Sequence, residues 1–499
     1  MSYALTLPFN QSDYQFLSQQ IDSQIDRAGF NSKKEKLYPV YIHFRCMDGE
    51  ETVEFKVKAH VRYKAYEAVP FVTHKPFDSK IKKRNYLCKK IGSFTNWYLF
   101  FFDNLSATGS RKLICQALER GLNIDRVDAW GNSAIVHAIS HDKILCVKYI
   151  IEKGADLTHK YGAGHTLLQV AIIKDSKKSI KLLLSRDDID VNQTGAHSMT
   201  ALHHASKRGN YKLVSELVER GADVHALDDS NRTPLLYAAG IGCTTCIHLL
   251  LNSGANINHT DKQGKSPLMV AALNGYYLCI DFLIEHGAEI TARTHSGQTA
   301  LMLAVESENA GCVMLLNQHG LAVNDSDKFN NTPLMTATRL ESYSCVTTLL
   351  KLGAEPNYSL FPNKSLQVST PLHIAAEKGN LNCIGALMCY KASTSVVDQN
   401  GKAPLHILAE KGNTKGIKSL MSHEATINLE QVDGDGNSAL ILAAKNGHQG
   451  TIEYLEQMGA DVTVKDKLGH DLKYIKSQNN IDGMQAKATQ NSRRRRRGY

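Results

Sequence analysis

The sequence predicts a mainly helical solenoid with a small α+β module at its amino end, and three observations predict it. A [TSA]-x-L motif opens apolar stretches at residues 133, 166, 200, 233, 266, 299, 332, 370, 403 and 438. The steps between them are 33, 34, 33, 33, 33, 33, 38, 33 and 35 residues, a ladder that chance does not produce. Every step carries the same order of helix-forming and turn-forming residues. Residues 1–94 lack that order and alternate instead with the period of a strand.

The repeated unit is shown by TPLLYAAGIGCTTCIHLLLNSGANINHTDKQGK, Thr233 to Lys265. Thr caps a helix through its hydroxyl, Pro takes the first helical position, and small alanines follow where a neighbouring helix comes close. A glycine ends this helix. A second, CIHLLLNSG, runs to a glycine suited to the left-handed cap, and Asp, Asn and Gly then form a hairpin-like finger.

These motifs, TPLHIAA from Thr370 to Ala376, TPLLYAA from Thr233, GANIN from Gly254 and GADV from Gly221, resemble the ankyrin repeat in sequence as well as in period. The likeness covers roughly residues 95–480 and contains ten full units. Trp97 to Val127 keeps only the second helix of a degenerate first repeat, and GHDLKYIKSQ from Gly469 reads as a polar capping helix, as the uncovered ends of a solenoid require. The expected domains are therefore an α+β module at 1–94, the array at 95–467, a capping helix at 468–480 and a disordered basic tail at 481–499. The glycine of the GA pair is lost near Asp187, at Lys391 and at Glu424, where irregular helix ends are expected. The 38-residue step inserts about five residues between Pro356 and Thr370, an enlarged finger suited to a partner contact.

Composition excludes several classes. With 42% apolar and 21% charged residues the chain is that of an ordinary soluble protein. Nowhere do about 18 apolar residues run together, and the amino end lacks the basic and apolar segments of a signal peptide. The net charge of +9 is concentrated at the ends: residues 1–105 hold 16 Lys and Arg against 11 Asp and Glu, and residues 465–499 hold 10 against 3. Attraction to nucleic acid or to an anionic membrane belongs to those two segments.

Cysteines and histidines suggest chemistry until they are placed in register. Cys243 and Cys246 in GCTTC invite a metal or disulfide reading, but Cys146, Cys246, Cys279, Cys312, Cys345 and Cys383 all fall thirteen residues after their unit's first residue. They occupy one apolar position six times. Equivalent helices lie roughly 8–10 Å apart, beyond the ~7 Å reach of a disulfide, so buried thiols in a reducing compartment are expected. His203, His373 and His406 hold the fourth position of TPLH, where the resemblance implies a hydrogen bond between units. No phosphate loop, HExxH or GxSxG occurs. No cofactor and no metal site is expected, and no catalysis by the array.

The resemblance instead implies a protein partner bound across the finger tips and first-helix ends. Candidate contacts are Lys207, Arg208, Asn231, Tyr237, Lys262, Arg293, Lys328, Phe329 and Arg339. Phe329 beside Lys328 is the most anchor-like pair, since aromatic and basic side chains dominate interface energetics. Asn192, Asn258, Asn324 and Asn428 each sit eight residues after a leucine, similar to the acceptor context of asparaginyl hydroxylation in ankyrin repeats.

At the amino end, Tyr14, Leu17, Ile21 and Ile25 form a helical stripe. Val40, Ile42 and Phe44, then Val53, Phe55, Val57, Ala59 and Val61, alternate around Asp48-Gly49 as a β-hairpin whose other face is basic. Cys46, Cys88, His43 and His74 permit a thiol-enzyme reading in which this module acts on a substrate recruited by the repeats. Arg493, Arg494, Arg495, Arg496 and Arg497 could serve nuclear import, an anionic surface or nucleic acid. An intracellular scaffold, cytoplasmic or nuclear, is the expected function. The architecture also resembles effectors that intracellular bacteria secrete, which would place it in a host cell's cytoplasm.

Overall fold

A computed structural model describes residues 37–48, 51–62, 123–125, 127, 131–358, 369–423 and 427–478. The helical stripe expected near Tyr14, the enlarged finger at 359–368, Glu424 and the arginine run lie outside the described residues. The chain divides into two compact units, Met1–Asp190 and Val191–Tyr499.

The first unit contains the strands β1 (Leu37–Asp48) and β2 (Glu51–Arg62), which pair antiparallel. Their register sets Ile42 opposite Val57, His43 opposite Lys56 and Phe44 opposite Phe55, so apolar and basic positions alternate in step along both strands. Two helix pairs follow: α1 (Ala134–Ser140) with α2 (Ile144–Glu152), and α3 (Leu167–Ile173) with α4 (Lys177–Leu184).

The second unit continues the alternation with eight pairs among its described residues. They are α5 (Ala201–Lys207) with α6 (Tyr211–Glu219), α7 (Pro234–Gly240) with α8 (Thr244–Asn252), α9 (Pro267–Leu273) with α10 (Tyr277–Glu285), and α11 (Ala300–Glu306) with α12 (Ala310–Gln318). Then come α13 (Pro333–Arg339) with α14 (Tyr343–Lys351), α15 (Pro371–Lys378) with α16 (Leu381–Cys389), α17 (Pro404–Glu410) with α18 (Thr414–His423), and α19 (Ala439–Lys445) with α20 (Gln449–Gln457). Residues 472–478 form a last helical segment that buries Leu472 and Ile475. Within each unit, successive first helices pack on one another, and so do successive second helices.

Local chemistry explains why the helices start and stop there. The Thr233, Thr299 and Thr332 hydroxyls accept the N–H groups of Leu236, Met302 and Met335 at 3.5, 3.4 and 3.2 Å, caps that contribute about 1 kcal/mol each. Pro lies in the first turn of α7, α9, α13, α15 and α17, where its missing N–H costs nothing. Second helices end at glycines in the left-handed region, such as Gly254 at φ +88°. Lys391, one of the residues standing in for that glycine, keeps the same left-handed backbone at φ +62°. The helix end there is regular, and the side chain bears the strain.

Cores form at repeating positions. Ala238, Ala271, Ala304, Ala337 and Ala375 are fully buried, and so are Leu217, Leu250, Leu283, Leu316 and Leu349 of the second helices. The six cysteines placed in one register are buried with them. Burial pushes the thiols of Cys312 and Cys383 up to about 11, so they behave as small apolar side chains.

Candidate partner-binding surface

The surface opposite the second helices is built by the fingers and by the exposed ends of the first helices. Most of the described fingers are shaped by an aspartate that folds back on its own chain, and in another the Thr294 hydroxyl does so instead, accepting the Gln298 N–H at 3.0 Å. Asp327 Oδ1 accepts the N–H groups of Phe329 and Asn331, both at 2.8 Å, and Asp398 and Asp433 do the same for their turns. These aspartates form the turns of their fingers, as the Asp, Asn and Gly content of the repeat predicts.

Successive fingers are joined by backbone hydrogen bonds. The N–H groups of Asp229, Lys262, His295, Lys328 and Gly434 donate to the carbonyls of His197, Ser230, Gln263, Ser296 and Asn400 at 2.8–3.0 Å. At the finger base the TPLH histidines add a second link. Nε2 of His203, His373 and His406 lies 3.0, 3.0 and 2.8 Å from the carbonyls of Arg232, Lys402 and Gln431, one repeat onward. The other ring nitrogen is engaged too, as His373 Nδ1 sits 2.7 Å from the Thr370 hydroxyl. Burial holds all three imidazoles below their usual value, so they are neutral bridges.

The structure sorts the candidate contacts. Lys207, Arg208, Lys262, Lys328 and Arg339 have exposed side chains. Phe329 is the outstanding one: 75% of this aromatic side chain is accessible at a tip where Ser230, Gln263, Ser296 and Asn400 stand in other fingers. Arg293 is committed within the array, because its guanidinium donates to Asp325 Oδ2 at 2.7 Å and to the carbonyls of Gly297 and Ser326. Arg339 donates to Asn331 Oδ1 at 2.9 Å, and Asn231, at φ +61°, donates to the Thr260 carbonyl at 2.8 Å.

Tyr237 is not presented to a partner. It is 9% exposed, its hydroxyl donates to Asp228 Oδ2 at 2.7 Å, and Arg232 stacks on the ring at 4.7 Å. Burial pushes the phenol up and the adjacent carboxylate adds to the effect. Asp228, itself buried, is raised by burial but ends below its usual value, because Tyr237 and Arg232 donate to it. The placement moves Tyr237 from the contact surface to the wall that supports it.

The asparagines expected to be alike differ. Asn192 Oδ1 accepts the Asp223 N–H at 2.7 Å, Asn258 the Glu289 N–H at 2.8 Å and Asn324 the Glu355 N–H at 2.9 Å, each linking one finger to the next repeat. Asn357 belongs to this set, accepting the Ser393 N–H at 2.6 Å. It also sits eight residues after a leucine, Leu349, and GAEPN was the sequence signal for it. Asn428 caps only its own turn, while Glu430 Oε1 takes the bridging role to Asp461 at 2.9 Å.

Among the described residues no three His, Cys, Asp or Glu side chains are grouped to hold a metal ion, and no helix is long and apolar enough to cross a membrane. His43 and Cys46 lie on β1, whereas His74, Cys88 and Arg493 to Arg497 lie outside the described residues.

Helix pairs at this period, joined finger to finger by bridging histidines and asparagines, define a repeat-built interaction scaffold. The chain belongs to the ankyrin-repeat family: models of ankyrin repeats match residues 105–195, 155–228, 202–294, 293–359 and 369–466. It is similar to the yeast (Saccharomyces cerevisiae) Target of rapamycin complex 2 subunit AVO2, 31% identical over 23% of this chain and 26% of that protein. Nuclear factor NF-kappa-B p105 subunit of Gallus gallus is 33% identical over 20% of this chain and 10% of its own length. The variola virus ankyrin repeat protein OPG189 is 26% identical over 24% and 23% respectively. The chain thus spans about a quarter or less of these relatives. The human ASB11 ankyrin repeat domain aligns with a TM-score of 0.42 at 26% identity, covering 46% of this chain and all of that domain.

Proposed function

We propose that this protein binds another protein through its finger tips and first-helix ends, with Phe329 and Lys328 as the anchor. The observation that carries this reading is the exposure of Phe329 on a tip whose backbone is fixed from both sides, by Asp327 within its finger and by Ser296 from the preceding one. A large apolar side chain held outward on a rigid turn loses little entropy when a pocket closes over it. Lys207, Arg208, Lys262 and Arg339 extend the same surface with positive charge, which favours an acidic rim on the partner. Six cysteine thiols buried at one repeat position agree with action inside a reducing cell.

The test is affinity capture with full-length protein and the double variant Phe329→Ala, Lys328→Ala. Proteins retained by the wild type and lost by a variant of unchanged melting temperature support the reading. Identical capture by both proteins defeats it. The finer reading, a host-directed effector, rests on the joining of a hairpin-bearing amino end to the array. It requires a secretion reporter fused to this chain to reach the host cytoplasm.

A further inference from the structure

Cys243 stands outside the register of the six buried thiols. It is the N-cap of the nine-residue helix α8, with φ −85° and ψ +86°. Four other repeats place Asn210, Asn309, Asn380 and Asn413 at this position, and each amide oxygen accepts the N–H three residues on, at 3.3, 3.2, 3.0 and 2.8 Å. In α8 the residue three further on is Cys246. Cys243 makes no capping bond of that kind, but its place at the start of the first turn sets it one helical turn from a second cysteine. Cys243 is half-buried, with Sγ 3.2 Å from Thr245 Oγ1 and 3.8 Å from the Gly209 carbonyl, while Cys246 is wholly buried.

We propose that Cys243 and Cys246 form a peroxide-reactive dithiol, in which Cys243 attacks and Cys246 resolves. The two environments differ as that division of labour needs. Burial pushes the Cys243 thiol up, but hydrogen bonds from the Thr245 and Cys246 side chains and from the amides of the first helical turn outweigh it. The thiol ends below its ordinary value. Cys246 is pushed far up, first by burial and then by its bond to Cys243, and stays a thiol until its neighbour is oxidised. Separation by one helical turn keeps the pair within the Cα range that a disulfide spans, about 4.4–6.8 Å.

The chemistry balances with a hydroperoxide as oxidant. The Cys243 thiolate attacks the terminal oxygen, an S–O bond forms and the O–O bond breaks. The departing oxygen takes a proton and leaves as water or an alcohol, so sulfur is oxidised to a sulfenic acid and the peroxide is reduced. Cys246 then gives up its proton and attacks that sulfur. An S–S bond forms, the S–O bond breaks, and the hydroxide leaves with the proton as water. Tyr276 covers this turn closely: a Cβ built on Gly242 would lie 2.7 Å from its ring. A new covalent link in the turn therefore bears on the contact between α8 and α10.

Full-length protein treated with hydrogen peroxide, alkylated and digested with trypsin tests the proposal. The peptide Thr233 to Lys262 contains Cys243 and Cys246 and no other cysteine. It is expected to become lighter by two hydrogens before exposed Cys389 changes. Cys243→Ser should abolish that loss, and in Cys246→Ala dimedone should label Cys243. Oxidation of Cys389 ahead of Cys243 would overturn the proposal, and so would a disulfide from Cys243 to Cys279 on α10. If Cys246→Ala does not fold, as circular dichroism would show, the wild-type peptide masses decide alone.

Discussion

At the scale of single residues, the histidines show how a reactive side chain becomes a structural one. His203, His373 and His406 each use both ring nitrogens inside the protein, and burial keeps them neutral. Their folded-state pKa values lie below the ordinary imidazole value of 6.5 that the unfolded chain keeps. Above that value neither state binds the proton and stability is level. As pH falls through it the unfolded chain protonates first, so stability drops until the folded-state values are reached. Urea unfolding at pH 7.5 and at pH 5.5 should show a lower midpoint at the acidic pH, and the triple variant His203→Gln, His373→Gln, His406→Gln should show a smaller pH difference. An equal difference in both proteins would remove the histidines as its source. Tyr237→Phe tests the neighbouring wall. Loss of a hydroxyl bond to buried Asp228 should cost about 1.5–3 kcal/mol, with no change in captured partners. Loss of partners from a folded variant would return Tyr237 to the contact surface.

At the scale of elements, the helix ends separate geometry from composition. Lys391 holds the left-handed backbone that seven second helices reach with glycine, Gly154, Gly221, Gly254, Gly287, Gly320, Gly353 and Gly459. A left-handed non-glycine residue costs roughly 1–2 kcal/mol, part of which glycine gives back as chain entropy. Lys391→Gly should therefore stabilise by about 0.5–1 kcal/mol, read as a raised denaturant midpoint. Unchanged or lower stability would mean that the lysine side chain makes a compensating contact. The helix pairs, their caps and the buried cysteine register were legible in the sequence because each rests on contacts that recur at one repeat position. Other features depend on one particular pair of residues and leave no periodic trace. The clamp from Arg293 to Asp325 is of this kind, as is the burial of Tyr237 against Asp228 and the transfer of the bridging role from Asn428 to Glu430. Cys243 was hidden for the opposite reason: its neighbour Cys246 fits the periodic pattern and drew the motif in with it.

At the scale of the whole molecule, stability in such an array is set by each repeat and its immediate neighbours. Gly401 offers a direct probe, because a Cβ there would lie 2.4 Å from the Gly434 amide nitrogen, on a backbone at φ +71°. Gly401→Ala must open the finger-to-finger bond from Gly434 to Asn400. Hydrogen exchange should show lost protection around α17 and α19, with α5 to α12 keeping theirs. A uniform loss over all of these helices would mean that the second unit unfolds as one body.

The bridging asparagines bear on what happens when the second unit is pulled along its length. Joints that touch only their neighbours carry a load in series, so the array yields at its weakest joint. Where Asn192, Asn324 and Asn357 each accept one bond and donate another across the joint, Glu430 supplies one acceptor on a longer, floppier side chain. Under tension the joint bridged by Glu430 is expected to open before those bridged by Asn192, Asn324 and Asn357, a mechanical fuse beyond the finger that carries Phe329.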